Sequence, residues 1–452
     1  MDRSQILAHL QAHPSPKVKI AIVDIDGVLR GKVVHRDKFL GIVDKGFGFC
    51  DVVFGWDMAD MSYDNVSITG WHTGYPDAQA QVDLTTFRQI PWEDELPFFL
   101  GDFVGPTGAP LPACPRNLFK QVIARAHDAG FAPKFSQEFE WFTFAENPQS
   151  LAEKDFRDPT PMTPGMFGYS ILRSSYKQSF FSDLFDELLA FDIPLEGLHT
   201  ETGPGVYEAA IQYGDALEAA DRAVLFKTAV KEIAMRHGLT STFMAKWRSD
   251  LPGCSGHVHQ SLWDETSKKN VFADADSDTG MSALMESYIA GQLHCLPHIL
   301  PMMAPTINSY KRLVEGAWAP TTLTWGIDNR TTALRALLPS SSATRLETRV
   351  CGSDVNPYLA MAACLASGLY GIEKGLKLEQ PAVVGNGYEV KEYGVLPHSL
   401  EAATHAMKHS EIARSLFGDG FVDHFTASRE WEVRAYAQAV TDWEMRRYFE
   451  II

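Results

Sequence analysis

The sequence predicts an α+β chain of two domains. Three observations carry this: two short β-runs around an Asp-Gly turn near the start, a long stretch of helical periodicity at 217–237, and a length of 452 residues. A chain that long exceeds one small domain and accommodates two. Residues 18–35, VKIAIVDIDGVLRGKVVH, supply the β-runs, and Asp26-Gly27 supplies the turn between them. β-Compatible stretches continue at 65–90. A Gly/Pro passage at 101–116 reads as a linker, which sets domains of 1–108 and 109–452. Asn117 is placed as the N-cap of a helix at 118–129. A strand at 132–144, a helix at 177–190 and a polar segment come next. In the helix 217–237, Ala223, Leu225, Phe226, Ala229, Ile233 and Ala234 recur at helical spacing. A helix at 280–295 and a strand at 343–350 follow. The last helical region, 398–450, carries Trp431, Ala435, Tyr436, Val440 and Trp443 as a packing stripe.

Composition narrows the function classes. With 57 acidic and 40 basic residues the net charge is −17, and no Lys/Arg stripe is present to displace counterions from a nucleic acid. The six cysteines have no CxxC spacing, which points to reduced thiols in a cytoplasmic protein. No apolar signal run or spanning segment is visible, so neither secretion nor a membrane partner is expected. The string Val23-Asp24-Ile25-Asp26-Gly27 has the look of a phosphatase nucleophile, but the chain returns at once as a β-run rather than passing into a helix. It reads as a hairpin.

The chemistry lies in polar residues set into apolar strands. In SQEFEWF, Glu138 and Glu140 are two apart, so strand geometry puts both carboxylates on one face. Burying such a pair without a counter-charge pushes one towards protonation, a problem that divalent metals or arginines resolve. His199, Glu201 and Glu208 lie around Gly203-Pro204-Gly205, where the backbone can turn and return a second carboxylate. His257 and His259 share a strand face, as do Arg345, Glu347 and Arg349; Arg312, Arg330 and Arg335 enlarge the positive side. Oxygen-rich sites with one imidazole suit Mg²⁺ or Mn²⁺, and guanidinium groups clamp phosphate and carboxylate oxygens. The set points to a metal-dependent nucleotide enzyme performing phosphoryl transfer.

The ordered motifs SQEFEWFTF, HTETGPGVYEAA, SGHVHQSLWD, NSYKRL, WAPTTLTWGIDNRTTALR and RLETRVCGSDVNPYLAMAACLASG resemble those of the glutamine synthetase superfamily over nearly the whole chain. The resemblance implies an N-terminal β-grasp domain, a catalytic α/β barrel-like domain, and a ring-shaped homo-oligomer, usually a dodecamer, with sites between subunits. It implies ATP and Mg²⁺ or Mn²⁺ as cofactors and L-glutamate plus a small amine as substrates. Glu140, Glu201 and Glu208 match the ligands of one metal; Glu138, His257 and Glu347 match those of the nucleotide-side metal. His259, Arg335 and Arg345 match nucleotide contacts, and Arg330 an arginine of γ-phosphate transfer. Arg312 matches the receiver of the substrate α-carboxylate, and Arg349 a group near the reacting γ-carboxylate. Asp57 is the best match for the carboxylate assisting the incoming nitrogen, with Asp60 as competitor.

Departures from the family pattern shift the expected substrate. Val206 stands where a glutamine is common, and Pro252 where an asparagine helps bind glutamate. Trp318 replaces the glutamate that closes the ammonium site of ammonia users, exchanging an anion for an apolar wall suited to an alkyl amine. Trp there resembles the γ-glutamylpolyamine and γ-glutamylalkylamide synthetase branch. The expectation is therefore ATP-dependent joining of a primary amine or polyamine to the glutamate γ-carboxylate through γ-glutamyl phosphate. Ammonia-using glutamine synthesis and a non-catalytic ring protein are the alternatives.

Overall fold

The computed structural model of the chain describes residues 1–105 and 108–452. Pro106 and Thr107, within the expected linker, lie outside the described residues. The first sheet contains β1 (Lys17–Val23), β2 (Leu29–His35), β3 (Phe47–Cys50), β4 (Asp77–Ile90) and β5 (Leu96–Val104), ordered β2-β1-β5-β4-β3. β1 and β2 form the expected hairpin. Its turn needs a glycine: Gly27 has φ +83°, and a Cβ there would come 2.9 Å from Asn356 Cα. Asn356 Nδ2 donates to the carbonyls of Asp24 and Ile25, at 3.1 and 3.2 Å, so the turn is docked against the rest of the chain. Asp24 itself accepts from the backbone of Asp26 and Val28 and from Arg30 Nε, a structural role rather than a nucleophile's. β5 is apolar almost throughout because both its faces are covered. Phe99 and Phe103 join Phe39 and Phe54 in one core, while Phe98 and Leu100 join the larger core on the other side.

The second sheet has nine strands: β6 (Phe131–Phe144), β7 (Leu195–Thr200), β8 (Val206–Ile211), β9 (Gly214–Asp215), β10 (Thr240–Thr242), β11 (Val258–Asp264), β12 (Trp325–Ile327), β13 (Leu334–Leu337) and β14 (Arg345–Thr348). The main path runs β12-β13-β14-β11-β6-β8-β7, with β9 and β10 also pairing to β6. Alternation along β6 separates its faces. Phe139 and Trp141 are buried against the helix Ala216–Arg236, where Phe226 stacks on Phe139 at 5.7 Å and meets Trp141 edge-on at 5.6 Å. Glu138 and Glu140 project from the other face.

Several expectations change. Residues 65–76 are loop, and the strand begins at Asp77. The first helix of the larger part starts at Pro115 with Cys114 as N-cap. Proline fits the first turn, having no N–H to lose, and Asn117 instead donates to the Phe103 carbonyl at 2.6 Å. The polar segment after residue 190 holds β7 and β8. The final stripe breaks down: Tyr436, Val440 and Trp443 are exposed, because the helix Asp419–Gln438 ends before them or turns that face to solvent. Trp431 does pack, against Tyr63 of the first part. Among the described residues no helix is long and apolar enough to cross a membrane.

Candidate active site

Strand register gathers the polar residues. His259 lies opposite Glu347, and Arg335 lies opposite Glu347 from the other side, so β11, β14 and β13 present three charged groups in a row. Further along, Glu140 lies opposite Glu208, and Glu208 opposite His199, across β6, β8 and β7. Two ligand sets emerge with donor atoms within 4.8 Å of one another: Glu140, Glu201 and Glu208, and Glu138, His259 and Glu347. His257 belongs beside the second set, its Nδ1 3.3 Å from Glu347 and 3.6 Å from Glu138. The expected ligand was His257 alone; the structure brings both imidazoles to the cluster.

The two sets differ electrically. Burial, then the neighbouring Glu208 charge, pushes Glu140 up to about 8, and burial with Glu208 also raises Glu201. Burial lowers His199, but the Glu208 carboxylate 3.4 Å away raises it overall to about 8, which answers part of this charge; among the described residues no ion pair answers Glu140 or Glu201. Glu138 and Glu347 are also buried, but cations outweigh that. His259 and His257 hold Glu138 well below the usual range, and Arg349 with the histidines brings Glu347 to about 2. Glu347, fully enclosed, pairs with Arg335 at 2.8 Å and with Arg349. Burial and Arg349 lower His257, keeping a neutral imidazole, the form that binds metals. Within the set, His259 Nε2 lies 3.2 Å from Glu138 and is buried without a hydrogen-bond partner among the described residues. An all-carboxylate set short of positive charge, and a mixed set with an orphaned nitrogen, both fit divalent cations.

Two cavities adjoin on this face. One, of about 630 Å³, is lined by both ligand sets' glutamates, His257, Trp318, Arg330, Arg335 and Arg349. The other, of about 300 Å³, is lined by His259, Arg345 and Ser342–Thr344 and shares Glu138 with the first. Arg345 Nε lies 3.3 Å from His259 Nδ1. Trp318 stands at the first cavity with 58 % of its surface exposed and φ +60°. A bulky residue in the left-handed region is an outlier of the kind that collects at functional sites.

Two expected site residues lie elsewhere. Arg312 is 2 % exposed, beneath the cavity; its nitrogens donate to Ser255 Oγ and to the Val350 and Arg349 carbonyls at 2.9–3.3 Å. These bonds tie it to the backbone that carries Arg349, and it does not line the cavity. Asp57 does not line the cavity of its own chain. One oxygen accepts from the Ala59 and Met61 backbone and the other from Trp431 Nε1 at 2.9 Å. Asp60 pairs with Arg30 at 3.0 Å. Among the lining residues not expected, Glu196 borders both cavities, and Tyr169 lines the larger one and stacks on His199 with centroids 4.5 Å apart. Tyr169 sits in an irregular segment with φ +55°, where no periodicity marks it. The Pro164-Gly165 turn just before it is the one sequence signal of a shaped loop there.

Comparison with known proteins agrees with this geometry. The glutamine synthetase catalytic domain matches residues 112–448. The chain is 53 % identical over 450 residues to Type-1 glutamine synthetase 2 of Dictyostelium discoideum, covering 99 % of this chain and 86 % of that one. It is 38 % identical to glutamate–isopropylamine ligase of a Pseudomonas species, covering 98 % and 97 %. It is 34 % identical to a γ-glutamylethanolamide synthetase of Streptomyces coelicolor, covering 96 % and 92 %. A solved GmaS/ADP complex superposes with a TM-score of 0.85 at 28 % identity, covering 98 % and 99 %. Members of this family are ligases that use ATP and divalent metal ions. Sheet, cavity and relatives converge, and the chain belongs to the glutamine synthetase family of ligases.

Proposed function

We propose that the protein joins a primary amine or polyamine to the γ-carboxylate of L-glutamate at the expense of ATP, through γ-glutamyl phosphate. The observation that carries this reading is Trp318, an exposed indole on the wall of the cavity that holds the carboxylate set. An indole offers an alkyl group an apolar surface and offers ammonium no counter-charge. Relatives named for isopropylamine and ethanolamide support an organic amine. The 53 % relative named as a glutamine synthetase favours ammonia instead, and so defines the second reading. Retention of all six proposed metal ligands, Glu138, Glu140, Glu201, Glu208, His257 and Glu347, opposes a non-catalytic ring protein.

In this reading ATP occupies the smaller cavity, with His259, Arg335 and Arg345 binding and orienting it. Arg330 and Arg349 face the larger cavity and neutralise charge on the transferring phosphoryl group and the γ-carboxylate. Bound Mg²⁺ or Mn²⁺ supplies the remaining positive charge. Arg312 holds the strand carrying Arg349. A neutral amine then attacks the acyl phosphate from the Trp318 side, and phosphate leaves. Asp57 of an adjacent copy takes the amine proton, which makes the site intersubunit and the assembly a closed ring, a dodecamer on family precedent. Residues 1–108 are assigned to a β-grasp domain, 109–452 to the catalytic domain, and the cytoplasm is the expected location. The test is phosphate release with glutamate, ATP and Mg²⁺ or Mn²⁺ against ammonia, alkylamines, ethanolamine and diamines, with product mass measured. Turnover with ammonia alone would replace this reading by glutamine synthesis.

A further inference from the structure

Two of the cavity's arginines are held in place by carboxylates. Arg335 and Arg349 both pair with Glu347, and Arg335 Nε also donates to Asp328 at 3.0 Å. Arg330 differs. Its side chain is exposed at the larger cavity, and among the described residues its guanidinium makes neither an ion pair nor a hydrogen bond. Only its carbonyl is engaged, accepting from Arg349 Nε at 3.2 Å. The charge of Arg330 therefore goes where its backbone carries it. That backbone is an unusual connection. β12 and β13 are parallel neighbours, and such strands are ordinarily joined by a crossover of a dozen or more residues. Here residues 328–333 are the whole link. So short a link folds back on itself, and Asp328 takes φ +50° to begin the turn.

Asn329 holds the fold-back from both ends of its amide. Oδ1 accepts from the backbone N–H and the hydroxyl of Thr331, at 2.9 and 2.7 Å, closing a local turn. Nδ2 donates to the carbonyls of Val383 and Gly385, both at 2.9 Å, tying the link to a distant segment of chain. The fit is close: a Cβ on Gly326 would come 2.8 Å from Asn329 Cβ. With its donors and acceptor spent this way, Asn329 has no group left for a substrate. We propose that it is a positioning residue for Arg330, fixing the turn from which the guanidinium reaches the transferring phosphoryl group. A free guanidinium stabilises developing charge best when its place is set beforehand. The inference rests on the proposed function only for that role of Arg330, and not on which amine is used.

The test is a double-mutant cycle on the assembled protein. kcat and the KM values for ATP and glutamate are measured at saturating amine, ammonia or ethylamine, whichever the wild type uses faster. Asn329→Ala is expected to lower kcat about tenfold and leave both KM values within about twofold, the pattern of a contact that acts in the transition state. Arg330→Ala should lower kcat about a thousandfold. In that background, removing Asn329 should cost less than about twofold, because no guanidinium is left to misplace. A merely structural amide would cost its full factor in both backgrounds, and that result overturns the inference while leaving the ligase reading standing. Asn329→Asp keeps the volume and the Thr331 bonds but loses both donors. It should follow the alanine variant through the cycle, and it reports even if the alanine variant fails to assemble. Wild-type kcat in Asn329→Asp overturns the inference as well. Wild-type kcat in Arg330→Ala overturns the phosphoryl role of Arg330 itself, and the inference falls with it.

Discussion

Glu140 and Glu208 are direct cross-strand partners on β6 and β8, two carboxylates in register with a third, Glu201, in the same cluster. Like charges placed this way destabilise a sheet. In the proposed reading a divalent cation between them offsets that cost.

Removing one of these charges should therefore stabilise the metal-free protein while disabling it. Glu140→Gln is expected to raise the thermal midpoint of chelator-treated protein by roughly 1–2 °C. The further rise on adding Mg²⁺ or Mn²⁺ should shrink, and both glutamate phosphorylation and amide formation should be lost, as in Glu140→Ala. A metal response as large as the wild type's would remove these residues from the metal site.

Glu347 behaves differently because its charge is already compensated. Arg335 and Arg349 both pair with it in a fully enclosed position. Glu347→Ala leaves two guanidinium groups facing each other and should lower stability by about 3–5 kcal/mol, as breaking a buried ion pair does. Denaturant unfolding of the chelator-treated pair, Glu347→Ala beside Glu140→Gln, separates the two situations: one loses stability, the other gains it.

In the proposed reading Trp318 selects the amine. At equal concentrations of neutral amine, the wild type should use ethylamine better than ammonia. Trp318→Glu should reverse part of that preference by attracting ammonium and crowding the alkyl group, by about 1–3 kcal/mol in the kcat/KM ratio. Ethylamine is the right comparison because its tail carries no second charge for the new glutamate to attract. If the wild type prefers ammonia and the ratio is unmoved, Trp318 is not the selectivity element.

Asp57 does not line its own chain's cavity, so activity should be recoverable between two inactive proteins. Mixing assembled Asp57→Ala with Arg349→Ala, under subunit exchange, should regenerate sites carrying both native residues. Mixed oligomers demonstrated by mass, yet without activity, would show that Asp57 is the wrong carboxylate or that each chain carries a whole site.

Acid should destabilise the fold through His424. The ring is 1 % exposed, and burial lowers it to about 4, so the folded chain holds it neutral. The unfolded chain protonates it below about pH 6.5. Its contribution is present above that value and lost as pH falls towards 4, amounting to about 2 kcal/mol at pH 5. Urea midpoints at pH 7.5 and pH 5 should differ less in His424→Gln than in the wild type.

The site was more legible in the sequence than parts of the scaffold. A spacing of two between Glu138 and Glu140 fixes their common face whatever surrounds the strand, and the structure has both on β6. The helix Ala216–Arg236 was visible because the partly buried polar residues Glu218, Arg222, Thr228 and Glu232 interrupt its buried apolar ones at helical spacing. Pro357–Glu373 is buried nearly all round, so it has no amphipathic stripe to find. Arg312 was identified by residue type and motif, but its orientation depends on carbonyls of the strand beside it. Tyr169 is held by backbone torsions, which neither charge nor hydropathy records.

The bond from Trp431 to Asp57 spans 374 positions of chain. A loop of the first sheet therefore takes its anchor from a helix made long afterwards, and Asp26 likewise waits for Arg429. On the ribosome, the first sheet emerges and pairs its strands while the surface that will clasp its 51–66 loop does not yet exist. That loop can settle only near the end of synthesis. A chain that stalls before residue 431 would leave Asp57 unclasped even with every metal-site residue already made, so any site relying on that loop matures last.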